Sequence, residues 1–134
     1  MKVIGLFKEM VLGADPKAIG ISDMVGKLSK TEVISVLEYL KSGVGVFDVM
    51  GAERDPLNHS VILSGAASLI SDGYWIWRLD LPYYVEKYQI QLNEEFLRQV
   101  ASPVGREIEI EADIQSKWQG IVACYKAACT AFKL

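Results

Sequence analysis

Hydrophobic residues at helical spacing predict two helices near the start of the chain. Within the first dozen residues the pattern includes Val3, Ile4, Phe7, Met10 and Val11. The predicted helix ends before Asp15-Pro16, because proline disfavours a continuing helix. A second stripe, with residues three and four apart, comprises Val33, Val36, Leu37 and Leu40. Ser29 or Thr31 can cap that helix at its start, and Gly43 suits its C-terminal end.

After this second helix the hydrophobic residues recur at shorter intervals. The change predicts strands. Branched or aromatic residues bounded by glycines indicate a short strand at 44–47, and a further apolar run indicates one at 61–63. Asp72-Gly73 then stands between two apolar runs. This pair is a strong hairpin signal, because a type I′ turn requires positive φ at both of its central residues.

The second arm of the hairpin carries two of the three tryptophans. Because side chains alternate along a strand, Trp75 and Trp77 are predicted on one face. Ile76 and Arg78 are predicted on the other. The tryptophans either fill the core between the hairpin and the helices or line a pocket there, and the core is favoured.

The last third of the chain predicts more helices. Asp80 and Asn93 are suitable N-caps. Residues 107–111 alternate between glutamate and isoleucine, which fits a strand or the entry to a final helix over about 110–131. The predicted buried stripe of that helix consists of Ile114, Trp118, Ile121, Val122, Tyr125 and Cys129. The pattern as a whole predicts an α+β fold, a predominantly helical single domain over 1–134 with a small antiparallel sheet around 60–78 packed on helices.

Composition narrows the possible classes of protein. The 134 residues are 51% hydrophobic and 23% charged, with a net charge of −3. An acidic chain is disfavoured as a nucleic-acid binder, which usually presents a basic face. No apolar run approaches the roughly 20 residues of a membrane span, and no secretory signal is recognisable. A cytoplasmic protein is therefore expected.

The sequence contains no recognisable catalytic or metal-binding motif. His59 is the only histidine, and it is predicted as an exposed turn residue rather than a general base. Cys124 and Cys129 are five residues apart, which turns them about 140° from each other on a helix and disfavours a disulfide. Zinc needs three or four suitable ligands, and phosphate-binding glycine motifs are missing. No cofactor and no enzymatic activity are expected.

Two sets of residues are candidates for binding another protein. Tyr83 and Tyr84 are predicted surface residues, since tyrosine tolerates one wet edge. The densest cluster of acidic residues consists of Glu107, Glu109, Glu111 and Asp113. This cluster is either a solvated face or a patch that complements a basic protein.

The aromatic segment also carries a resemblance. The run from Asp72 to Tyr88, followed by 92–96, resembles small bacterial proteins of unknown role that share a D-G-x-W-x-W strand, then D-L-x-Y-Y-V and an L-P-x-x-F-like turn. Asn93 stands where those proteins often have proline. A weaker similarity to the same proteins extends back to residues 39–43. The resemblance implies no activity, but the size and acidity of the chain are similar to those of immunity proteins from toxin–immunity pairs.

Two functional hypotheses follow. The first is a non-catalytic protein-binding protein, most specifically an immunity protein that occludes the active site of a cognate toxin. The second is a small-ligand binder or minor enzyme, with His59 as its base and an aromatic pocket between hairpin and helices. The residues expected to line that pocket are Trp75, Trp77, Tyr88 and Trp118. The sequence leaves the oligomeric state open.

Overall fold

The computed structural model describes residues 1–102 and 110–134. Its strands are β1 (Lys2–Val3), β2 (Val44–Phe47), β3 (Ala52–Asp55), β4 (Asn58–Ser64), β5 (Leu69–Ser71) and β6 (Trp75–Arg78). Its α-helices are α1 (Lys30–Lys41), α2 (Leu81–Tyr88), α3 (Glu94–Ala101), α4 (Glu111–Ser116) and α5 (Trp118–Ala131). Four strands form a mixed sheet in the order β1-β6-β5-β2, while β3 and β4 form a separate hairpin. The predicted α+β fold is confirmed.

The four-stranded sheet is covered on both faces. Trp75 and Trp77 are 3% and 0% exposed and pack with residues of α1, α2 and α3. Ile76 points the other way and packs with Ile114 of α4 and Ile121 of α5. The predicted division of β6 into two faces is therefore confirmed. The tryptophans belong to the core rather than to an open pocket.

The hairpin at Asp72-Gly73 is confirmed, but its turn differs from the prediction. β5 and β6 pair antiparallel. Gly73 has φ of 94°, whereas Gln89 is the only non-glycine residue with positive φ in the described ranges, so Asp72 does not adopt type I′ geometry. Instead the Asp72 carboxylate accepts hydrogen bonds from the backbone N–H groups of Tyr74 and Trp75, each at 2.8 Å. A side-chain acceptor thus stabilises this turn.

Helix capping follows the sequence closely at α1 and α3. Ser29, rather than Thr31, caps α1, and it exchanges hydrogen bonds with Glu32 in a capping box. Asn93 caps α3 by accepting from the N–H groups of Glu95 and Phe96. These contacts are local, which explains why the sequence predicts them.

The prediction of an N-terminal helix is wrong. Residues Lys2–Val3 form β1, which pairs in parallel with β6. The Ile4 N–H donates to the Ile76 carbonyl at 2.9 Å, and Gly5 then turns the chain with φ of 68°. The same hydrophobic spacing fits an extended segment that buries Ile4 and Phe7. Pairing with a distant strand outweighs the local helical pattern.

The prediction of one long C-terminal helix is also wrong. The chain forms α4 and α5, which meet at Lys117. Ile114 and Ile121 are buried as predicted, but Trp118 is 42% exposed. The Lys117 N–H bonds to the Ile114 carbonyl in a tighter turn, which separates α4 from α5. In addition, the sheet predicted around 60–78 is divided, because β4 pairs with β3 rather than with β5.

Candidate functional site

An exposed aromatic pair lies at the edge of the four-stranded sheet. Phe47 ends the edge strand β2, and Trp118 begins α5. Their rings stack with centroids 6.0 Å apart and planes inclined by 15°. Both remain accessible, with Phe47 38% and Trp118 42% exposed. The two exposed rings are candidates for a contact surface.

One carboxylate is linked to this edge of the sheet. The Gln115 side chain reaches the Gly45 carbonyl of β2 at 3.5 Å and the Glu111 carboxylate at 3.4 Å. These contacts link Glu111 to β2, the strand that ends at Phe47. We call the surface formed by these three residues the Phe47–Trp118 face: Phe47, Glu111 and Trp118.

The structure describes two of the four acidic residues predicted to bind a partner. Glu107 and Glu109 lie outside the described residues. Glu111 and Asp113 are exposed in the first turn of α4, where the helix dipole favours acidic side chains. Only Glu111 is tied to β2 by a described contact. The exposure of Trp118 was not predicted, because this residue falls on the hydrophobic stripe of the predicted C-terminal helix.

The two tyrosines do not behave as predicted. Tyr84 is 1% exposed and packs in the core, so its predicted surface position is wrong. Its pKa is raised because burial disfavours the phenolate. Tyr83 is half-buried, and its hydroxyl donates inward to the Asp55 carboxylate at 2.7 Å. Both side chains are occupied in holding the fold together.

Asp55 is the centre of a buried hydrogen-bond cluster. It ends β3 and is 0% exposed. Its Oδ2 accepts from the hydroxyls of Tyr83 at 2.7 Å and Tyr88 at 2.5 Å, and its Oδ1 accepts from the Leu57 N–H at 2.8 Å. Burial alone would raise the pKa of Asp55, but these hydrogen bonds outweigh it and hold the pKa below its usual value. The charged carboxylate is therefore the stable form.

We expect the contribution of Asp55 to stability to disappear in acid. A lowered pKa in the folded state means that the stabilisation is complete above the unfolded value of about 3.9 and is lost as the pH falls. Asp55→Asn should lower the free energy of unfolding by about 2 kcal/mol at pH 7, because hydrogen bonds to a charged acceptor are lost. Urea unfolding at pH 7 and pH 3 measures this difference, which should shrink at pH 3. Asp48→Asn, at an exposed carboxylate, is the control, and an equal loss at both pH values would contradict the prediction.

A second buried cluster joins Arg78 to two carboxylates. Arg78 is 2% exposed. Its Nε and Nη2 donate to the two oxygens of Asp80 at 3.2 and 3.0 Å, and Nη2 also donates to Glu53 at 2.8 Å. Asp80 stands at the N-cap of α2, as predicted, but its side chain pairs with Arg78 and makes no capping bond. A buried ion pair with Arg78, two residues earlier in the chain, thus replaces the predicted cap.

Burial and pairing act in opposite directions within this ion pair. Burial raises the pKa of Asp80 to about 6, although Arg78 opposes the rise. Burial by itself lowers the pKa of Arg78, but the neighbouring carboxylates more than compensate, so its pKa is raised. Tyr125 of α5 lies close to this cluster, and burial raises its pKa to about 12. The Arg78 Nη1 atom is buried and has no hydrogen-bond partner among the described residues.

These two clusters attach the β3–β4 hairpin to the rest of the protein. Glu53 and Asp55 both lie on β3. Glu53 reaches Arg78 of the sheet, and Asp55 reaches Tyr83 and Tyr88 of α2. Because Asp55, Arg78 and Asp80 are buried, a substrate has no direct access to them. We interpret the clusters as structural.

The residues expected to line an aromatic pocket are not brought together. Trp75 and Trp77 are buried on one face of the sheet, whereas Trp118 stacks on Phe47 outside that core. His59 is exposed on β4, which agrees with its predicted exposure. A groove of about 450 Å³ does exist elsewhere. Its lining includes Phe7, Leu92 and Phe132, without any of the predicted aromatic residues.

The described part of the chain also lacks features of other site classes. No group of three or more His, Cys, Asp or Glu residues there could hold a metal ion. Cys124 and Cys129 are free and partly buried, in agreement with the predicted lack of a disulfide. No helix within 1–102 or 110–134 is both long and apolar enough to cross a membrane.

Comparison with known proteins returns no match, whether to a family model, a curated protein or a solved structure. A functional hypothesis therefore has to come from the geometry and chemistry of the site itself.

Proposed function

We propose that this chain is a non-catalytic protein-binding protein that uses the Phe47–Trp118 face to cover a basic surface of its partner. The observation that carries the proposal is the exposed stack of Phe47 on Trp118. Tryptophan is among the residues that contribute most to protein–protein affinity, since its large ring excludes water from the contact. The stack also fixes the indole orientation before binding, which reduces the entropy lost on association.

The charge of the face selects the kind of partner. Glu111 is linked through Gln115 to β2, the strand that ends at Phe47, and the whole chain carries a net charge of −3. Acidic side chains at the rim of an interface speed association with a basic surface and disfavour acidic ones. A basic protein is therefore a better candidate than a nucleic acid, whose phosphates would be repelled.

The most specific form of the proposal is an immunity protein that occludes the active site of a cognate bacterial toxin. Enzymes that act on nucleic acids bind their substrates through basic surfaces, which an acidic face can cover. The resemblance of the aromatic segment to small bacterial proteins, and the size and acidity of the chain, support this form. Occlusion requires no catalytic residue in the chain itself.

Replacing Trp118 by alanine should weaken partner binding by about 100-fold, the effect expected at an interfacial tryptophan. The chain is immobilised, the protein retained from the source organism is identified and purified, and its affinity is measured by calorimetry. Ile34→Ala, at a residue of α1 that is 61% exposed, is the matched control and should bind like the wild type. Because Trp118 is half exposed, the fold of the variant should survive, and circular dichroism checks this.

A toxin assay separates the general from the specific form of the proposal. The purified partner is expressed alone and together with the chain, and growth is recorded. An immunity protein should restore growth, and Trp118→Ala should not. A partner that binds Trp118→Ala as tightly as wild type would refute the proposed face. A partner that is harmless to cells would refute the immunity role alone.

A further inference from the structure

The β3–β4 hairpin buries little apolar surface. Within 1–102 and 110–134, its strands pair with each other and not with the four-stranded sheet. Their backbones also lie closer to each other than to any other described helix or strand. In β4, five of the seven residues are exposed, and Val61 and Leu63 are half-buried. Because a two-stranded hairpin is marginally stable by itself in water, its position depends on the contacts that attach it to the body of the protein.

Two carboxylates of β3 supply polar contacts of this kind. Asp55 is the only buried residue within 52–64, and it accepts hydrogen bonds from the hydroxyls of Tyr83 and Tyr88 on α2. Glu53 pairs with Arg78 at 2.8 Å, but its side chain is 40% exposed, so water competes for that contact. Leu63 adds a partly buried apolar contact with the main core. Segments with few buried apolar contacts open at a lower free-energy cost than the core does.

The base of the hairpin has the geometry of a hinge. The Gly65 N–H donates to the Gly51 carbonyl at 2.8 Å, which joins the two ends of the hairpin. Just outside these glycines, the buried Ser68 hydroxyl accepts from the Val49 N–H at 2.9 Å and links the two connecting segments. Gly51 and Gly65 therefore separate the hairpin from a fixed point. Glycine has the backbone freedom that a hinge needs, and Gly65 already has φ of 66°.

We infer that residues 52–64, which we call the arm, open about Gly51 and Gly65 as a separate unit while the four-stranded sheet and its helices stay folded. The Asp55 carboxylate holds the arm closed on α2. Opening removes the acceptor that Tyr83 and Tyr88 share and makes their hydroxyls available to other molecules. The arm contains none of the residues of the Phe47–Trp118 face, so this inference does not depend on the proposed function.

Hydrogen exchange of the full chain, followed by NMR at pH 7, tests whether the arm opens by itself. The paired amides of β3 and β4 should exchange through an opening that is at least about tenfold more populated than the one that exposes β5 and β6. Ile121→Val separates the two events, since Ile121 packs in a cluster with Ile76 that contains no residue of the arm. This substitution should speed exchange in β5 and β6 about fivefold through a less stable core, and exchange in the arm should not change. Equal acceleration of the arm and the sheet would overturn the inference, because the arm would then open only when the whole protein unfolds.

Two further substitutions test the contact that closes the arm, one from each side. Asp55→Asn should raise the population of the open arm about 30-fold, since the tyrosine hydroxyls lose a charged acceptor. Tyr88→Phe keeps the aromatic ring, removes one donor and should raise the population about tenfold. Asp48→Asn, at an exposed carboxylate outside the arm, should not change its exchange. Wild-type exchange of the arm in both Asp55→Asn and Tyr88→Phe would refute the role of Asp55.

Discussion

Replacing Arg78 by methionine should lower the free energy of unfolding by about 3–5 kcal/mol, the cost of removing one member of a buried ion pair. The Asp80 side chain is only 1% exposed, so water cannot replace the guanidinium. Glu53 also loses a partner, but its side chain is 40% exposed and becomes hydrated instead. Urea unfolding followed by circular dichroism measures the loss. Arg54→Met, at an exposed arginine of β3, should change stability by less than about 0.5 kcal/mol.

The pH dependence identifies the physical cause of that loss. The pKa of Asp80 is raised to about 6 by burial, above the unfolded value of about 3.9. The folded state therefore holds this proton more tightly, and the group favours folding most below pH 4 and less as the pH rises through 6. Without Arg78 the pKa of Asp80 should rise further. The destabilisation should accordingly be greater at pH 7 than at pH 5.

A double variant provides the decisive comparison. Arg78→Met combined with Asp80→Leu removes both charges, leaves no isolated ion in the interior and should recover most of the lost stability. If the double variant is as unstable as Arg78→Met, or if the loss is equal at pH 5 and pH 7, the unpaired Asp80 charge is not the cause.

Replacing Gly43 by alanine should lower the free energy of unfolding by about 3 kcal/mol, at the upper end of the range for overpacking a core. A Cβ atom at this position would lie 2.3 Å from Trp77 Cζ2 and 2.6 Å from Ile70 Cγ2. Trp77 is 0% exposed and packed on all sides, so it has little room to move. Thermal and urea unfolding measure the effect.

Gly45 supplies a matched control for this substitution. It is two residues further along the chain, in β2, and a Cβ there has no neighbouring atom within 4 Å. Gly45→Ala should remain close to wild-type stability. Trp77→Phe removes the ring atoms that would overlap, so Gly43→Ala should cost less in that background. Similar losses for the two glycine substitutions would show that the overlap with Trp77 is not the cause, because the lower backbone entropy of alanine in the unfolded chain would by itself stabilise the fold.

The candidate site was only partly predictable from the sequence. The acidic character of the first turn of α4 is evident from the residues around Glu111. The exposed stack was not predicted, because Trp118 falls on the hydrophobic stripe of one continuous helix. Contact with Phe47 also depends on the position of β2 in the sheet. In the chain, β2 precedes Trp118 by about seventy residues, so no local pattern predicts the contact.

The buried clusters show the same division between local and long-range information. Asp80 has the position and chemistry of an N-cap, and the sequence alone favours that role. Both its side chain and that of Arg78 are buried, and an unpaired charge is costly in the protein interior. Asp80 therefore pairs with Arg78 instead. Likewise Asp55 looks like an ordinary turn residue beside Pro56. Only the tertiary structure brings Tyr83 and Tyr88 to its carboxylate.

Three features depend on near neighbours in the chain and can be predicted without the fold: the caps of α1 and α3, the hairpin at Asp72-Gly73 and the two faces of β6. These follow from hydrogen bonds and alternation over a few residues. The parallel pairing of β1, the break before Trp118 and the burial of Tyr84 become evident only in the folded protein. Each of these depends on contacts between distant segments, whose free energy outweighs the local preference of the chain.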